Sequence, residues 1–111
     1  MAFNLEKVTI ENEYYRRVIH TTDFQQLVLM SVKDEIPMEI HPHHDQFIRI
    51  EKGNCEVKVG GMIYELEDGD SITIPRSTHH QVRNLIQDPI KLYTIYSPPH
   101  HPKGLIQAFR H

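Results

Sequence analysis

Residues 39–53 read EIHPHHDQFIRIEKG and place three histidines within four positions, ahead of an alternating apolar stretch. His41 and His43 are two residues apart, and side chains with that spacing share one face of an extended chain. One short strand can therefore direct two imidazoles toward a single point. Neutral imidazole is a ligand for zinc, copper, iron and nickel. The stretch predicts half of a metal site; the alternative is a solvated, histidine-rich loop between strands.

The residues after the histidines alternate as expected of a strand. Gln46 has the same parity as Ile48 and Ile50, whereas Phe47 and Arg49 have the opposite parity. Because alternate side chains face opposite sides of a strand, Gln46 is predicted to point into the same interior as the two isoleucines. An amide oxygen would then lie beside the imidazoles.

Composition and charge exclude several classes of protein. The chain has 111 residues, 39% of them hydrophobic and 24% charged, which suits one domain with a modest core. A net charge of -3 provides no basic field, so no nucleic-acid partner is expected. Cys55 is the only cysteine, which excludes an intrachain disulfide and fits a cytoplasmic location. No apolar run approaches the roughly 20 residues of a membrane helix, so no membrane association is expected.

Short strand-like segments recur with turn signals about every 8–12 residues, and no long helical period appears. The predicted strands are residues 5–10, 14–20, 26–32, 37–43, 46–52, 55–59, 62–66, 71–75, 79–85 and 90–96. Three prolines make residues 97–104 a loop or cap, and residues 105–111 fit either a short strand or one helical turn. This pattern predicts an all-β sandwich or barrel in a single domain, residues 1–111.

A second histidine-bearing stretch, residues 69–84, reads GDSITIPRSTHHQVRN and resembles the second motif of the cupin superfamily. The spacing of that motif is matched by Gly69, Pro75, His80 and Asn84. Ser77 replaces the second glycine of the motif. The resemblance implies that His80 binds a metal and that Asn84 orients the backbone.

The first stretch resembles the first cupin motif, which is a His-x-His pair, three or four residues, a glutamate, six residues and a glycine. His41 and His43 match the pair. Gly53 matches the terminal glycine, and Gln46, which precedes it by six intervening residues, stands in the place of the glutamate. Only two residues separate His43 from Gln46, so the hairpin is at least one residue shorter than the motif requires.

The resemblance spans about residues 26–97, and the flanks are similar to a group of small stand-alone cupins. It implies a double-stranded β-helix, the RmlC-like jelly-roll barrel, with residues 97–111 as a C-terminal cap. A divalent transition metal (Fe, Mn, Ni, Cu or Zn) is expected inside the barrel. The implied ligands are His41, His43, Gln46 and His80. An amide in place of the carboxylate would leave the full charge on the metal.

The short hairpin leaves two alternatives open at this site. If the hairpin bulges, His44 replaces His43 as the second imidazole ligand. The same bulge would allow Asp45 to supply the carboxylate that Gln46 lacks. Strand parity alone favours His43 over His44.

Two further residues near the motifs have plainer interpretations. His79 adjoins His80 in the sequence and is therefore predicted to face away from it. Glu39 shares the parity of His41 and can reach the site, but a carboxylate at the end of a strand is more often solvated.

The remaining candidates lie outside both motifs. His100 and His101 fit either a cap over the mouth of the barrel or a solvated, proline-rich loop. Cys55 follows a turn and is predicted to be a small strand residue, because no base accompanies it in the sequence.

Two classes of function are compatible with a cupin-like site. The first is a small metalloenzyme with dioxygenase-, isomerase- or epimerase-like chemistry on a small oxygenated molecule. The second is a non-catalytic module that binds or senses a sugar or small acid, with a structural metal or none. In either case the expected partner is a small molecule, and the resemblance also implies a homodimer.

Overall fold

Two antiparallel sheets form a jelly-roll barrel in the computed structural model, which describes residues 2–111. The elements are α1 (Leu5–Glu11), β1 (Arg16–Thr21), β2 (Gln26–Val32), β3 (Glu35–Glu39), β4 (Asp45–Lys52), β5 (Asn54–Val59), β6 (Met62–Glu67), β7 (Ser71–Ile74), β8 (His80–Asn84), β9 (Ile90–Ser97) and β10 (Ile106–Gln107). One sheet has six strands in the order β10-β1-β2-β9-β4-β7, and the other has four in the order β3-β8-β5-β6. The predicted all-β class and jelly-roll architecture are confirmed.

The N-terminal segment predicted as a strand, residues 5–10, is instead the helix α1. Asn4 caps this helix, because its side-chain oxygen accepts a hydrogen bond from the backbone N–H of Lys7 at 3.1 Å. Such a cap satisfies one of the donors that the first helical turn leaves free. The strand prediction is wrong here because it relied on the alternation of Val8 and Ile10 and overlooked the capping asparagine.

The C-terminal segment contributes a two-residue strand. β10 pairs with β1, where Gln107 lies opposite Arg16, and the Arg16 guanidinium donates to the Gln107 side-chain oxygen at 2.6 Å. Of the two alternatives for residues 105–111, the short strand is therefore the one observed.

A second correction affects the histidines. The strand predicted over residues 37–43 ends early, because β3 stops at Glu39 and residues 40–44 form an irregular loop with bends at Pro42 and His43. Proline has no backbone N–H to donate to a ladder, so the chain leaves the sheet here. The premise that His41 and His43 lie on one extended strand therefore does not hold.

The interior of the barrel is divided between an apolar core and a polar end. On β4, Ile48 and Ile50 are fully buried in the core, and Gln46 lies at the same parity toward the strand's start. On β8, Val82 is in the core and His80 begins the strand at the same parity. The alternation that places apolar side chains in the core therefore also directs polar ones inward at one end.

Asn84 ties the chain together at the other end of β8. Its side-chain amide donates to the carbonyls of Val32, Lys33 and Asp88 at 2.9–3.2 Å, and its side-chain oxygen accepts from the N–H of Ile86 at 2.8 Å. The predicted role of this residue in orienting backbone is confirmed.

No helix within residues 2–111 is both long and apolar enough to cross a bilayer. The homodimer and the cytoplasmic location stay predictions.

The turn between β4 and β5 depends on a glycine. Gly53 has φ +130°, and a Cβ atom there would lie 2.4 Å from Ile90 Cδ1 and 3.3 Å from Ile90 Cα. Other residues rarely adopt this backbone conformation, and the neighbouring isoleucine is fully buried. This explains why the terminal glycine of the first motif is needed for the fold.

We predict that Gly53→Ala destabilises the protein by about 1–3 kcal/mol, through backbone strain and the clash with Ile90. Gly60→Ala is the matched control, because φ is +58° there and the nearest atom is 3.7 Å from the added Cβ. Denaturant unfolding of the two variants gives the comparison. An equal loss of stability in both would show that the Ile90 contact contributes nothing.

Candidate metal centre

Side chains from both sheets meet at the polar end of the barrel. Gln46 on β4 and Tyr96 on β9 are paired across the six-stranded sheet. Glu39 at the end of β3 and His80 at the start of β8 are paired across the four-stranded sheet. The loop of residues 40–44 crosses between β3 and β4 and carries the remaining histidines into the same space.

His80 is held in the orientation typical of a metal ligand. It is 1% exposed, and its ring Nδ1 lies 3.0 Å from the carbonyl oxygen of Thr78. A carbonyl can only accept, so Nδ1 carries the proton and Nε2 keeps a free lone pair in the neutral ring. The Nε2 atom is buried and has no hydrogen-bond partner. Metal-binding histidines commonly have this arrangement, with the other ring nitrogen bonded to a carbonyl.

His41 lies beside His80 and shares a carboxylate with it. Glu39 Oε1 is 3.3 Å from His41 Nε2 and 3.5 Å from His80 Nε2, but neither contact forms a hydrogen bond of good geometry. The His41 carbonyl accepts a hydrogen bond from the backbone N–H of Ser77 at 2.8 Å. Ser77, at the place of the motif's second glycine, adopts a positive φ of 64° to make this bond.

His44, and not His43, enters the barrel. His44 is 6% exposed and its Nε2 is buried without a partner, whereas the side chain of His43 is exposed. The ring of His44 lies 4.6 Å from that of His41, measured between centroids. The expectation that His43 faces the interior is therefore wrong, because the bends at Pro42 and His43 break the parity of an extended strand. Of the two histidines that the short hairpin left open, His44 is the one that faces the interior, and its role as a metal ligand stays a prediction.

Gln46 faces the interior, as its parity predicted. Its amide nitrogen donates to Thr94 Oγ1 at 3.0 Å and to the Tyr96 hydroxyl at 3.4 Å. The two donations leave Oε1 buried and without a partner. Asp45 points elsewhere, because its Oδ1 accepts from the backbone N–H of Arg76 at 2.9 Å and its side chain is exposed. Asp45 therefore does not supply the missing carboxylate.

The carboxylate that lies beside the histidines is that of Glu39, for which the sequence interpretation did not favour a role in the site. The ligand atoms of Glu39, His41 and His80 all lie within 4.8 Å of one another. The overlooked signal is spacing: four residues separate His41 from Gln46, and Glu39 precedes His41 by two. With Glu39 and His41 in the positions of the motif's histidine pair, the hairpin has its full length. The apparent one-residue deficit came from starting the pair at His41.

The C-terminal cap lies over the same cluster. The ring of His100 is 4.5 Å from that of His41 and 4.4 Å from that of His44, between centroids. The ligand atoms of these three histidines also lie within 4.8 Å of one another. His101 packs edge-on against Tyr96 at 5.3 Å. Of the two interpretations of the cap histidines, a cap over the barrel mouth is the one observed. His79 is exposed, as predicted.

The local electrostatics keep these groups ready to bind a cation at neutral pH. Partial burial raises the pKa of the Glu39 carboxyl, but the adjacent His41 and His80 imidazoles outweigh burial and hold that pKa well below its usual range. Burial and the neighbouring imidazoles, His100 first among them, lower the pKa of His44 to about 4. The carboxylate is therefore ionised, and the His44 ring is neutral with a free lone pair.

The donor atoms present fit a bound metal ion. Four buried side-chain atoms at this end of the barrel have no hydrogen-bond partner: the Nε2 atoms of His41, His44 and His80 and the Oε1 atom of Gln46. A buried polar atom without a partner costs about 1–3 kcal/mol. Imidazole nitrogen with carboxylate and amide oxygen suits a first-row transition metal. A cation bound to any of these atoms would remove the cost at that position.

The register of the loop can be tested with two adjacent histidines. We predict that His44→Ala lowers the affinity for Zn²⁺ by about 10-fold or more, because a buried lone pair is lost, while His43→Ala leaves it within about threefold. Titration calorimetry on the metal-free protein measures both. The loop would be wrongly assigned if the His43 variant showed the larger loss.

Cys55 lies apart from this centre and serves the core. It is fully buried on β5, and burial, with a smaller contribution from the carboxylate of Asp70, raises the pKa of its thiol to about 11. The prediction that Cys55 is a strand residue agrees with this position.

The pH dependence of Cys55 alkylation follows from that raised pKa. At pH 8 about one Cys55 thiol in a thousand is ionised, and only the ionised form, the thiolate, reacts as a nucleophile. We predict slow reaction of the native protein with iodoacetamide at pH 8, a rise of about tenfold per pH unit toward pH 10, and fast reaction after denaturation in urea. Rapid stoichiometric labelling of the native protein at pH 8 would contradict the buried position.

Comparison with known proteins extends these observations. The family model described as Cupin domain (Cupin_2) matches residues 26–96. Protein L612 of Acanthamoeba polyphaga mimivirus is 49% identical over 113 residues, which cover 96% of this chain and 71% of L612. YrkC of Bacillus subtilis is 39% identical over 111 residues, which cover 93% of this chain and 60% of YrkC. This chain therefore spans less than two thirds of YrkC.

A solved structure is similar over nearly the whole chain. The crystal structure of BH2720 from Bacillus halodurans superposes with a TM-score of 0.95 at 40% identity, covering 97% of this chain and 88% of that one. None of these three names specifies a substrate or a reaction, so the chemistry has to be inferred from the centre itself.

Proposed function

This chain belongs to the Cupin domain family, and we propose that it is a metal-dependent oxidoreductase of the dioxygenase type that acts on a small oxygenated molecule. The ion-binding residues in this proposal are Glu39, His41, Gln46 and His80. One observation carries the proposal: the ligand atoms of Glu39, His41 and His80 lie within 4.8 Å of one another, and the buried Oε1 atom of Gln46, at the same end of the barrel, has no hydrogen-bond partner.

The composition of the ligand set favours oxygen chemistry. Glu39, His41 and His80 are two histidines and one carboxylate, the set found in non-haem Fe(II) oxygenases when coordination positions stay open. The glutamate position of the first motif is Gln46 in this chain, and the carboxylate of the proposed set is that of Glu39, at the position of the motif's first histidine. The proposed set therefore keeps one negative charge, unlike the neutral set predicted from the sequence.

A bound divalent ion would supply Lewis acidity and, for iron, electron transfer to dioxygen. The protein's own contribution is to orient and to shield. Tyr96 and Thr94 accept hydrogen bonds from the Gln46 amide and so fix its orientation, with its oxygen left unpaired. Burial raises the pKa of the Tyr96 phenol, so this group remains a neutral hydroxyl at physiological pH. The Glu39 side chain, 32% exposed, is where the centre reaches solvent.

We expect the purified protein to bind about one equivalent of Fe²⁺ under anaerobic reconstitution. Glu39→Ala and His80→Ala should each lower Fe²⁺ affinity more than about 100-fold, because loss of a ligand exceeds the about 10–100-fold cost of losing a ligand's supporting partner. His79→Ala is the matched control, since that exposed imidazole adjoins His80. Failure of the unmodified protein to bind any transition metal would refute the proposal.

Nitric oxide then tests whether the centre is catalytic. An iron ion with open positions binds nitric oxide and gives a characteristic half-integer-spin EPR signal, which we expect here. A second function is favoured by one observation, that His41, His44 and His80 are each at most 6% exposed. Closed sites are typical of structural ions. Bound Fe²⁺ that gives no signal with nitric oxide would favour that alternative, a non-catalytic module that binds a sugar or small acid.

A further inference from the structure

The C-terminal cap carries a histidine into the metal centre that neither sequence motif contains. His100 lies over His41 and His44 with ring centroids 4.5 and 4.4 Å away. The ligand atoms of His41, His44 and His100 lie within 4.8 Å of one another. The Nε2 atom of His44 is buried and without a partner. These three imidazoles therefore present ligand atoms close enough to one another for one ion to bridge.

The cap is fixed in this position by a buried side chain. Gln26 on β2 is 0% exposed, and its Oε1 accepts hydrogen bonds from the N–H groups of His100 at 3.1 Å and His101 at 2.9 Å. Its amide nitrogen donates to the His101 carbonyl at 2.7 Å and to Thr21 Oγ1 at 3.1 Å. Both lone pairs and both hydrogens of the amide are used, so the backbone of the histidine pair is anchored to the barrel wall.

The donors in the centre fall into two groups that share His41. One group contains the carboxylate of Glu39 with His41 and His80, and the other contains His41, His44 and His100. In a tetrahedral zinc site with zinc–nitrogen bonds of about 2.0–2.1 Å, the ligand atoms lie about 3.4 Å apart, so one ion is held by one compact group at a time. The two groups also differ in chemistry, because carboxylate oxygen suits Mn²⁺ better and imidazole suits Zn²⁺ and Cu²⁺ better.

We propose that the cap completes a second cation position, formed by His41, His44 and His100, that is selective for Zn²⁺ or Cu²⁺. The inference rests on the proposed function for its first position, Glu39 with His41 and His80. Because both positions need His41, an ion in one excludes an ion in the other. An ion in the second position also bonds the cap to the loop of residues 40–44 and so keeps the barrel mouth closed.

The test is a crossed comparison of two metals and two variants of the full chain without a tag. Titration calorimetry of the metal-free protein measures Kd for Zn²⁺ and for Mn²⁺. His100→Ala is expected to raise the Zn²⁺ Kd about 10–100-fold and the Mn²⁺ Kd less than about threefold. Glu39→Gln is expected to do the reverse. His43→Ala, an exposed imidazole in the same loop as His44, should leave both values within about threefold.

A variant of Gln26, the residue that anchors the cap, provides a second test. Gln26→Leu keeps the approximate size of the side chain but removes its four hydrogen bonds, so Zn²⁺ affinity should fall as far as in His100→Ala. The double variant should be no weaker than His100→Ala alone, because both changes remove the same interaction. Zn²⁺ should also slow hydrogen exchange of the amides of residues 100, 101 and 103–105 in the unmodified protein but not in His100→Ala. His100 is exposed, so its variant tests the inference even if Gln26→Leu does not fold.

The outcomes separate this inference from the proposed function. If His100→Ala leaves Zn²⁺ affinity unchanged while Glu39→Gln weakens Mn²⁺ binding, the second position is overturned and the first one stands. If His100→Ala weakens both metals equally, there is one position only, and the inference is again overturned. If the unmodified protein binds neither metal, both proposals fail.

Discussion

Three imidazole nitrogens and an amide oxygen are buried at one end of the barrel without hydrogen-bond partners. The other ring nitrogen of His80 lies against the Thr78 carbonyl, and the amide nitrogen of Gln46 donates to Thr94 and Tyr96. These contacts hold the His80 ring and the Gln46 amide in place while His80 Nε2 and Gln46 Oε1 stay unpaired. A buried polar atom without a partner is costly, and a bound cation would remove that cost.

The rest of the fold holds this arrangement together. Each strand that carries a donor also carries core residues at the same parity, so the donor cannot turn outward without exposing its neighbours. Ile48 and Ile50 hold β4 in register with Gln46 facing inward, and Val82 does the same on β8 for His80. Gly53 and Asn84 close the turns at the opposite end. In this way the packing of the apolar core fixes the geometry of the polar end.

Two features distinguish this centre from the pattern of its two motifs. The carboxylate beside the histidines is that of Glu39 on the four-stranded sheet. The amide of Gln46, on the other sheet, stands where the first motif has its glutamate. The cap adds His100 on the open side, anchored through Gln26. Both changes act on the side of the centre that reaches solvent. They alter the charge and the access that an ion and a small molecule would meet, while the fold is unchanged.

The sequence by itself determined most of the strand pattern and the inward direction of Gln46, because a period of two is a local property of each strand. The two motifs in the sequence also indicated the jelly-roll class and the part of His80 in the centre. The orientation of residues 40–44 was decided by the tertiary structure alone. A loop with bends has no parity, and its side chains turn according to what surrounds them, so His44 enters and His43 does not. The contact of His100 with His41 joins residues 59 positions apart. Such a contact exists only because the buried amide of Gln26, on a third segment of the chain, holds the cap over the barrel.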